Sequence, residues 1–545
     1  MFETGLLILT RPVPVLIQRA QQILTEVSDK VSQTLYVHIH PHNAAHNHNA
    51  AFSMAPLPCN NAFRDLMTKL YSSNSSVCQH LDVYVLLGNV TNQNLSPHLR
   101  YNFPKPYDIV LTDSKYIAQE NSHQNSLFLE TVKSHFNPCN KNVILQTLSD
   151  IEENSKSLAE ETEKSNEAED VMLKSYKEVV MGGTFDRIHA GHKILLGEGC
   201  LWAENRLVIG VTAGDMNRKK VLPELISPLE RRVKDVQHFI EVVKPELGHW
   251  VTPITDMYGP SITEPGLQCI VLSEETKKGG EMINKEREKK GLQILEQQMI
   301  GMVEDACHNQ YEEHKISSSS GRKRLLGTLI NPVKPNPSIP DRPYVIGLTG
   351  GIASGKSALC KRLEGLGAVS VDCDKLGHVA YNKGTKAYDE VIAAFGEDIV
   401  AEDGEINRKK LGPIVFGDPD RLKLLNSIVW PAISDMAKEK LRKYSEEKRE
   451  VVVLEAALLL EAGWDNLVHE IWTSIVPREE AITRVMDRNK LPREEVEKRL
   501  NSQMSNEERV ERANVVLCTL WEYDYTQQQV RLSLGFLLFF LSFSH

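Results

Sequence analysis

Short apolar runs alternate with amphipathic stretches along the first part of the chain, and that alternation predicts strands and helices in turn. Gly5-Leu6-Leu7-Ile8-Leu9-Thr10 reads as a buried strand, a helical stretch follows from Gln18 to Val31, and Thr34-Leu35-Tyr36-Val37-His38 reads as the next strand. Val83 to Leu87, Asp108 to Leu111 and Asn142 to Leu145 continue the series, which predicts an N-terminal α/β domain over residues 1–148. Asp150 to Asp170 is rich in Glu, Ser, Asn and Lys and almost free of large apolar residues, so residues 149–175 read as an acidic, disordered linker. Strands return at Val179-Val180-Met181 and Leu207 to Val211 in a middle domain of residues 176–330. A proline-rich linker at 331–341 follows, since its prolines deny it helix and ladder hydrogen bonds. In the last domain, 342–530, Tyr344 to Thr349, Val369 to Val371 and Val451 to Glu455 read as strands, Ala358 to Leu366 as a helix, and Arg484 to Gln503 as a polar, arginine-bearing helical lid. The tail, 531–545, is apolar nearly all round, and no internal repeat is visible.

Composition narrows the function. A length of 545 residues leaves room for about three domains. A net charge of -10 argues against nucleic acid, which requires clustered Lys and Arg. The nine cysteines are scattered without a C-x-x-C pair and read as reduced thiols of an intracellular protein. The N-terminus has no secretory pattern and too many acids for an ordinary transit peptide. The apolar run Leu534 to Phe543 is about half the ~20 residues of a spanning helix, so no transmembrane segment is expected. We expect a monomer in the cytoplasm or in peripheral association with mitochondria, with the N-terminal domain as a regulatory or targeting handle that both activities can do without. His38, His40, His42, His46 and His48 could chelate a metal, but their Pro, Asn and Ala surroundings favour a solvated loop.

Two motifs carry chemistry. The strand at Val179 runs into Gly182-Gly183-Thr184-Phe185-Asp186-Arg187-Ile188-His189-Ala190-Gly191-His192, with a helix beginning near His192. Glycines there let the backbone approach a polyphosphate, while helix-end N–H groups and two imidazoles stabilise the charge that builds at the α-phosphate as pyrophosphate leaves. Gly183, Thr184 and Phe185 are candidate nucleotide contacts and His189 and His192 candidate catalytic groups. The other half of that site is expected at Ile316 to Arg322, where the hydroxyls of Ser317, Ser318 and Ser319 and the cation of Arg322 suit a triphosphate.

The second motif, Gly350-Gly351-Ile352-Ala353-Ser354-Gly355-Lys356-Ser357, lies between a strand and a helix, the context a P-loop requires. Its N–H groups cradle phosphates, Lys356 reaches the β- and γ-phosphates, and Ser357 offers a hydroxyl to Mg²⁺. Asp372 and Asp374 follow at the carboxyl end of the next strand, where open α/β sheets gather ligands, although either could instead cap a helix.

The middle domain resembles phosphopantetheine adenylyltransferase, in the form fused within the bifunctional coenzyme A synthases of animals. The resemblance rests on the histidine motif, Asp256-Met257-Tyr258-Gly259-Pro260, Ser273-Glu274-Glu275-Thr276, Gly279-Gly280, Asn284 with Arg287, and the serine run. It implies a Rossmann-like nucleotidyltransferase in which the phosphate of 4′-phosphopantetheine attacks the α-phosphate of ATP, giving dephospho-coenzyme A and pyrophosphate. Thr184 and His192 would contact the α-phosphate, His189 the β- and γ-phosphates, and Lys220 would bridge the reacting groups; Arg218 and Lys219 beside Lys220 leave a solvated basic turn as the other reading. Lys277 or Lys278 stands where the family commonly has Arg.

The last domain resembles dephospho-coenzyme A kinase through its P-loop, Asp372, Asp374, Glu455, Gly463-Trp464, Arg488, Arg499 and Gln503. That likeness implies a parallel-sheet P-loop fold using ATP and Mg²⁺ to phosphorylate the ribose 3′-hydroxyl of dephospho-coenzyme A. Asp374 would be the general base, Ser357 and Glu455 would hold the metal, and Arg488 and Arg499 would close over the phosphates. Glu455 stands where Asp is usual, and the tail from Arg531 replaces an amphipathic closing helix. Two readings therefore stay open, both steps active or an active transferase beside an impaired kinase. An aminoacyl-tRNA synthetase-like enzyme would need a Lys-Met-Ser-Lys-Ser-type loop and a basic RNA-binding domain, and a non-catalytic scaffold would not need Lys356 and His192.

Overall fold

Three all-parallel, five-stranded sheets form the framework of the structure, a computed structural model that describes residues 1–40, 54–91, 96, 99–113, 122–149 and 171–543. Most of the predicted 149–175 linker, together with His42, His46 and His48, lies outside the described residues. The described part divides into two compact units, Met1–Gly321 with two sheets and Arg322–His545 with the third.

In the first sheet β1 (Phe2–Leu9), β2 (Val31–Ile39), β3 (Asp82–Val85), β4 (Tyr101–Thr112) and β5 (Phe136–Thr147) take the order β3-β2-β1-β4-β5. Leu6, Leu7, Ile8 and Leu9 are all fully buried, because a parallel strand covered by helices on both faces must be apolar without alternation. His38 and His40 are not part of a solvated loop. The β2 strand carries the chain through Ile39, so His38 is 0% and His40 4% exposed, and burial holds His38 well below the usual imidazole range and brings His40 down to about 4.

The second sheet comprises β6 (Tyr176–Gly183), β7 (Ala203–Thr212), β8 (Gly248–Ile254), β9 (Cys269–Ser273) and β10 (Glu296–Ile300) in the order β10-β9-β6-β7-β8. Between β6 and β7 lies the Ala190–Trp202 helix, in which even Lys193 and Glu198 are buried. Its hydrophobic residues show no single stripe, as expected of a helix packed on every side. The first sheet's Asn61–Val77 helix packs against it, and one core of buried residues runs from Leu6 through Met67 to Met181 and Val271. The first domain is therefore built into the second rather than carried beside it.

The third sheet comprises β11 (Tyr344–Gly350), β12 (Val369–Asp372), β13 (Val451–Glu455), β14 (Glu470–Ile475) and β15 (Val515–Cys518) in the order β12-β13-β11-β14-β15, with the strand that feeds the P-loop at its centre. The predicted lid is two helices, Arg478–Asn489 and Arg493–Asn501, because Lys490 takes a left-handed φ of 52° and Pro492 cannot continue the ladder. The apolar tail is not an appendage but the second half of a helix, Tyr523–Phe543. Gln529 on this helix fastens it to the edge strand: its side-chain oxygen accepts from Cys518 N at 2.9 Å and its amide donates to Cys518 O at 3.2 Å. Val530, Leu534 and Leu537 pack with Leu348, Leu359 and Trp472, whereas Leu532, Phe536, Leu538 and Phe539 stay exposed. Among the described residues no helix is long and apolar enough to cross a membrane.

Candidate functional sites

The turn after β6 makes its bend with residues other than glycine. Gly182 and Gly183 are not left-handed; Phe185 and Arg187, each with φ of 49°, are. Backbone strain of this kind persists only where surroundings over-determine it. Asp186, 1% exposed, accepts from Ser227 N at 2.9 Å and from Arg187 Nη1 at 3.1 Å, while buried Arg232 donates to Thr184 O at 2.8 Å and Thr212 O at 2.9 Å. The turn is thus fixed from behind.

His189 caps the Ala190–Trp202 helix. Its Nδ1 accepts from His192 N at 3.4 Å, Ser318 Oγ lies 3.3 Å from its Nε2, and Ser318 Oγ in turn donates to Asp186 O at 3.3 Å. With Nδ1 turned to the helix N–H, Nε2 is the ring nitrogen that faces the Ser318 hydroxyl. His192 stacks on His189 with ring centres 3.8 Å apart, and Gly191 leaves the room for it, since a Cβ there would lie 3.3 Å from the His189 ring. The two halves of the predicted site, 129 residues apart, therefore meet at Ser318. Thr184, earlier in the turn, has its Oγ1 3.2 Å from Thr212 Oγ1.

The neighbouring residues sort differently. Ser317 caps the Ser318–Leu325 helix, accepting from Ser320 N at 3.1 Å, Ser319 is half-buried one residue beyond Ser318, and Arg322 is buried in the middle of the same helix. Of the three basic residues after β7, Arg218 pairs with Asp215 and Lys219 is exposed, which leaves Lys220 as the half-buried one. Lys277 and Lys278 are exposed at the start of the Lys277–Lys289 helix. Arg287, 0% exposed, gives its hydrogen bonds to the carbonyls of Ser261, Glu264, Leu267 and Gln293, and Asn284 pairs with both backbone groups of Leu295. Those two residues hold backbone, not ligand. Asp256 accepts from Tyr258 N and Gly259 N, both at 2.8 Å, which lowers its carboxyl pKa.

In the second unit β11 ends in the P-loop, and Gly355, φ 93°, opens the Lys356–Glu364 helix, where a Cβ would lie 2.7 Å from Thr519 Oγ1. Lys356 Nζ donates to Gly350 O at 2.9 Å and Gly351 O at 3.2 Å. Burial lowers its pKa against the opposing fields of Asp374 and Glu455. Ser357 Oγ donates to Glu455 Oε1 at 2.8 Å at the end of β13, so two hard oxygen donors converge at the mouth of the loop. A cavity of about 300 Å³ is lined by Ala353 to Ala358 with Arg484 and Arg488.

Asp372 caps the Cys373–Val379 helix and pairs with Lys375 at 2.9 Å, which gives it the structural role, whereas Asp374 is no cap. Asp374 is exposed in the first turn of that helix, where its Oδ1 accepts from Ala457 N at 3.5 Å. Desolvation pushes its pKa above the usual value, with Lys356 and the Ala457 N–H opposing. Arg499, expected over the phosphates, instead pairs with Glu495 one turn earlier at 2.7 Å, because the break at Pro492 puts it on the second lid helix.

Sequence reasoning missed three groups around the loop. Arg484 donates to Ala353 O at 3.3 Å and Thr519 O at 2.7 Å; Thr519 Oγ1 donates to Ser354 O at 2.8 Å; and buried Arg509, paired with Glu461 at 3.4 Å, lies beside Gly351, where a Cβ would come within 3.6 Å of its Nη1. Gln503, which the sequence did single out, accepts from Ile352 N at 2.9 Å. The signal for Arg484 and Arg509 was a basic residue on each lid-side helix, but any of several arginines there would have fitted.

Comparison with known proteins accounts for all three sheets. Family models match as COASY N-terminal domain over residues 3–139, Cytidylyltransferase-like over 180–324 and Dephospho-CoA kinase over 344–519. The dephospho-CoA kinase of Geobacter sulfurreducens is 47% identical over 173 residues, 32% of this chain and 88% of its own length. That of Carboxydothermus hydrogenoformans is 41% identical over 186 residues, 34% of this chain and 90% of its own. With a dephospho-CoA kinase domain at its end, a cytidylyltransferase-like domain before it and a COASY N-terminal domain at its start, the chain belongs to the bifunctional coenzyme A synthase family.

Proposed function

We propose that the chain carries out the last two steps of coenzyme A assembly, adenylyl transfer from ATP to 4′-phosphopantetheine in the first unit and 3′-phosphorylation of dephospho-coenzyme A in the second. The observation that carries the first step is the meeting of His189, His192 and Ser318 at a helix N-terminus. A phosphate nucleophile is already ionised at neutral pH, so the site has only to orient it and to stabilise charge at the α-phosphate. His192, Thr184 and the helix N–H groups serve the α-phosphate, His189 with Ser318 and Ser319 the leaving pyrophosphate, and Lys220 spans the two. Gly183 and Phe185 shape the turn, and Arg322 adds a cation to the serine helix.

In the second unit the loop from Gly350 to Ser357 holds the phosphates of ATP and Lys356 neutralises the transferring group. Asp374 takes the proton of the attacking 3′-hydroxyl, a role that suits a carboxyl whose pKa has been raised toward the working pH. Arg484 and Arg488 reach the loop from the lid, and Arg499 approaches only when the second lid helix closes. The kinase family uses ATP with magnesium, and Ser357 and Glu455 offer the oxygen donors such an ion takes; bound there, it offsets phosphate charge. The seating of the Tyr523–Phe543 helix by Gln529, Leu534 and Leu537 supports a complete kinase rather than an impaired one. Incubation of purified protein with 4′-phosphopantetheine and ATP tests this: pyrophosphate, ADP and coenzyme A are expected, and formation of neither dephospho-coenzyme A nor pyrophosphate would refute the first step.

A further inference from the structure

Both sides of the Ala190–Trp202 helix are filled. On the inner side a Cβ at Gly199 would meet Met181 at 2.1 Å and Leu207 at 3.1 Å, so the helix lies directly on its own sheet. On the outer side a Cβ at Gly197 would meet Met67 Sδ at 2.6 Å, and Met67 belongs to the first sheet's Asn61–Val77 helix. Arg64 of that helix donates from Nε to Glu198 Oε1 at 2.6 Å, Trp202 Nε1 donates to the other oxygen at 2.9 Å, and Glu198 is 1% exposed. The Cys59 thiol donates to Leu201 O at 3.6 Å. Nearest the reacting end is Lys193, next in sequence to His192 and 6% exposed. Its ammonium donates to Asp82 Oδ1 at 2.5 Å and Val83 O at 2.7 Å, both on β3 of the first sheet, and stands 4.7 Å from the Tyr84 ring centre.

We propose that the first sheet is a positioning element of adenylyl transfer: the Asp82–Lys193 and Arg64–Glu198 pairs fix the helix whose first turn carries His189 and His192. This rests on the adenylyl-transfer reading of that turn. Lys193 and Glu198 are charged residues on a helix that would otherwise present them to water, and a buried charge is tolerated only with its partner in place. The pairing sets the axial position and rotation of the helix, and with them the imidazoles, whose displacement by about 1 Å costs on the order of 100-fold in rate. A domain without a nucleotide motif of its own thereby enters the reaction.

The test uses the full chain with Asp82→Asn, Lys193→Met and the two together, assayed separately for each step. Asp82→Asn leaves a buried ammonium without its counter-charge, whereas the double variant removes both charges at once. For Asp82→Asn we expect kcat of adenylyl transfer to fall about 10- to 100-fold with KM for ATP within about 3-fold, and kinase kinetics and circular dichroism to be unchanged. The double variant relieves the stranded charge but still lacks the pair, so it should recover only to the level of Lys193→Met. If Asp82→Asn does not fold, Lys193→Met alone carries the comparison, because Asp82 is 52% exposed and can be solvated; it should lose kcat about 10-fold, and Lys193→Arg should restore it. Unchanged transfer in the folded single variants, or a loss confined to KM, would overturn the proposal. Wild-type protein that transfers no adenylyl group would overturn the reading of the turn itself, a result distinct from a defect seen only in the variants.

Discussion

The first and second sheets are built on one plan, with the opening strand in the middle and its two successors on one side, yet among the described residues only the second carries the paired-histidine turn at the end of that strand. In both, the opening strand turns into a helix at the point where strand order reverses, the position at which open α/β sheets take ligands. In the first sheet the turn is Thr10-Arg11-Pro12, and Asp113 at the end of β4 closes it, accepting from Thr10 N at 2.8 Å, Thr10 Oγ1 at 3.0 Å and Arg11 N at 3.2 Å. A carboxylate of the chain thus takes the N–H groups that an anionic ligand would need. In the second sheet the equivalent turn holds Thr184, His189 and His192 and is joined by Ser318. Sheet order places the turn, and the side chains in the turn decide whether it is a site.

The largest expected effect separates the two units. His192→Ala should lower adenylyl transfer by about 100- to 1,000-fold while the rate of dephospho-coenzyme A phosphorylation stays unchanged, measured with each substrate supplied separately. Asp374→Asn should do the converse, lowering the kinase by about 100-fold or more and sparing the transferase. The pH profile sharpens this. The raised Asp374 carboxyl must be deprotonated to act, so the kinase kcat/KM should fall as pH falls, with its acid limb above the ordinary carboxylate range, and Asp374→Asn should flatten that limb.

Stability distinguishes the closed first sheet from the open second. His40 is held at about 4 in the fold against an ordinary value near 6.5, so the unfolded chain takes up the proton first as pH falls. The stability it contributes is complete above about pH 6.5 and is lost between there and pH 4, by roughly 3 kcal/mol, and His40→Asn should remove that part of the acid sensitivity in urea titrations of residues 1–321 within the full chain. The smallest effect is expected at Asp113→Ala. Two N–H groups lose their acceptor, at a cost of about 1–3 kcal/mol, but burial already raises the Asp113 pKa and offsets part of it, and both activities should remain at wild-type level. Lost adenylyl transfer at full stability would mean that the first sheet does more than buttress the second.

The motifs were legible because their chemistry is local. Gly350 to Ser357 and the turn from Gly183 to His192 are each a strand, a tight loop and a helix start within a few residues, and Ser318 could be joined to His189 because both suit the same phosphate chain. Arg484, Thr519 and Arg509 were not legible, since their partners at Ala353, Ser354 and Glu461 lie 131, 165 and 48 residues away and no periodicity marks them. Arg287 and Asn284 carried the family resemblance, but their hydrogen bonds go to four carbonyls and to the backbone of Leu295. His38 and His40 were misread because the residues after them are loop-like, although the strand itself runs on to Ile39. The tail lacked a polar stripe, yet Gln529 and the spacing of Val530, Leu534 and Leu537 seat it on the sheet.

The central claim, that two separate transfers are made in sequence on one chain, is tested most directly by product analysis of Lys356→Met supplied with 4′-phosphopantetheine and ATP. Loss of the charge that serves the β- and γ-phosphates should block the second transfer by several kcal/mol of barrier, on the order of 1,000-fold, and leave the first untouched. Stoichiometric accumulation of dephospho-coenzyme A and pyrophosphate, without coenzyme A, is the predicted result; coenzyme A at the wild-type rate, or loss of pyrophosphate release along with it, would contradict the account.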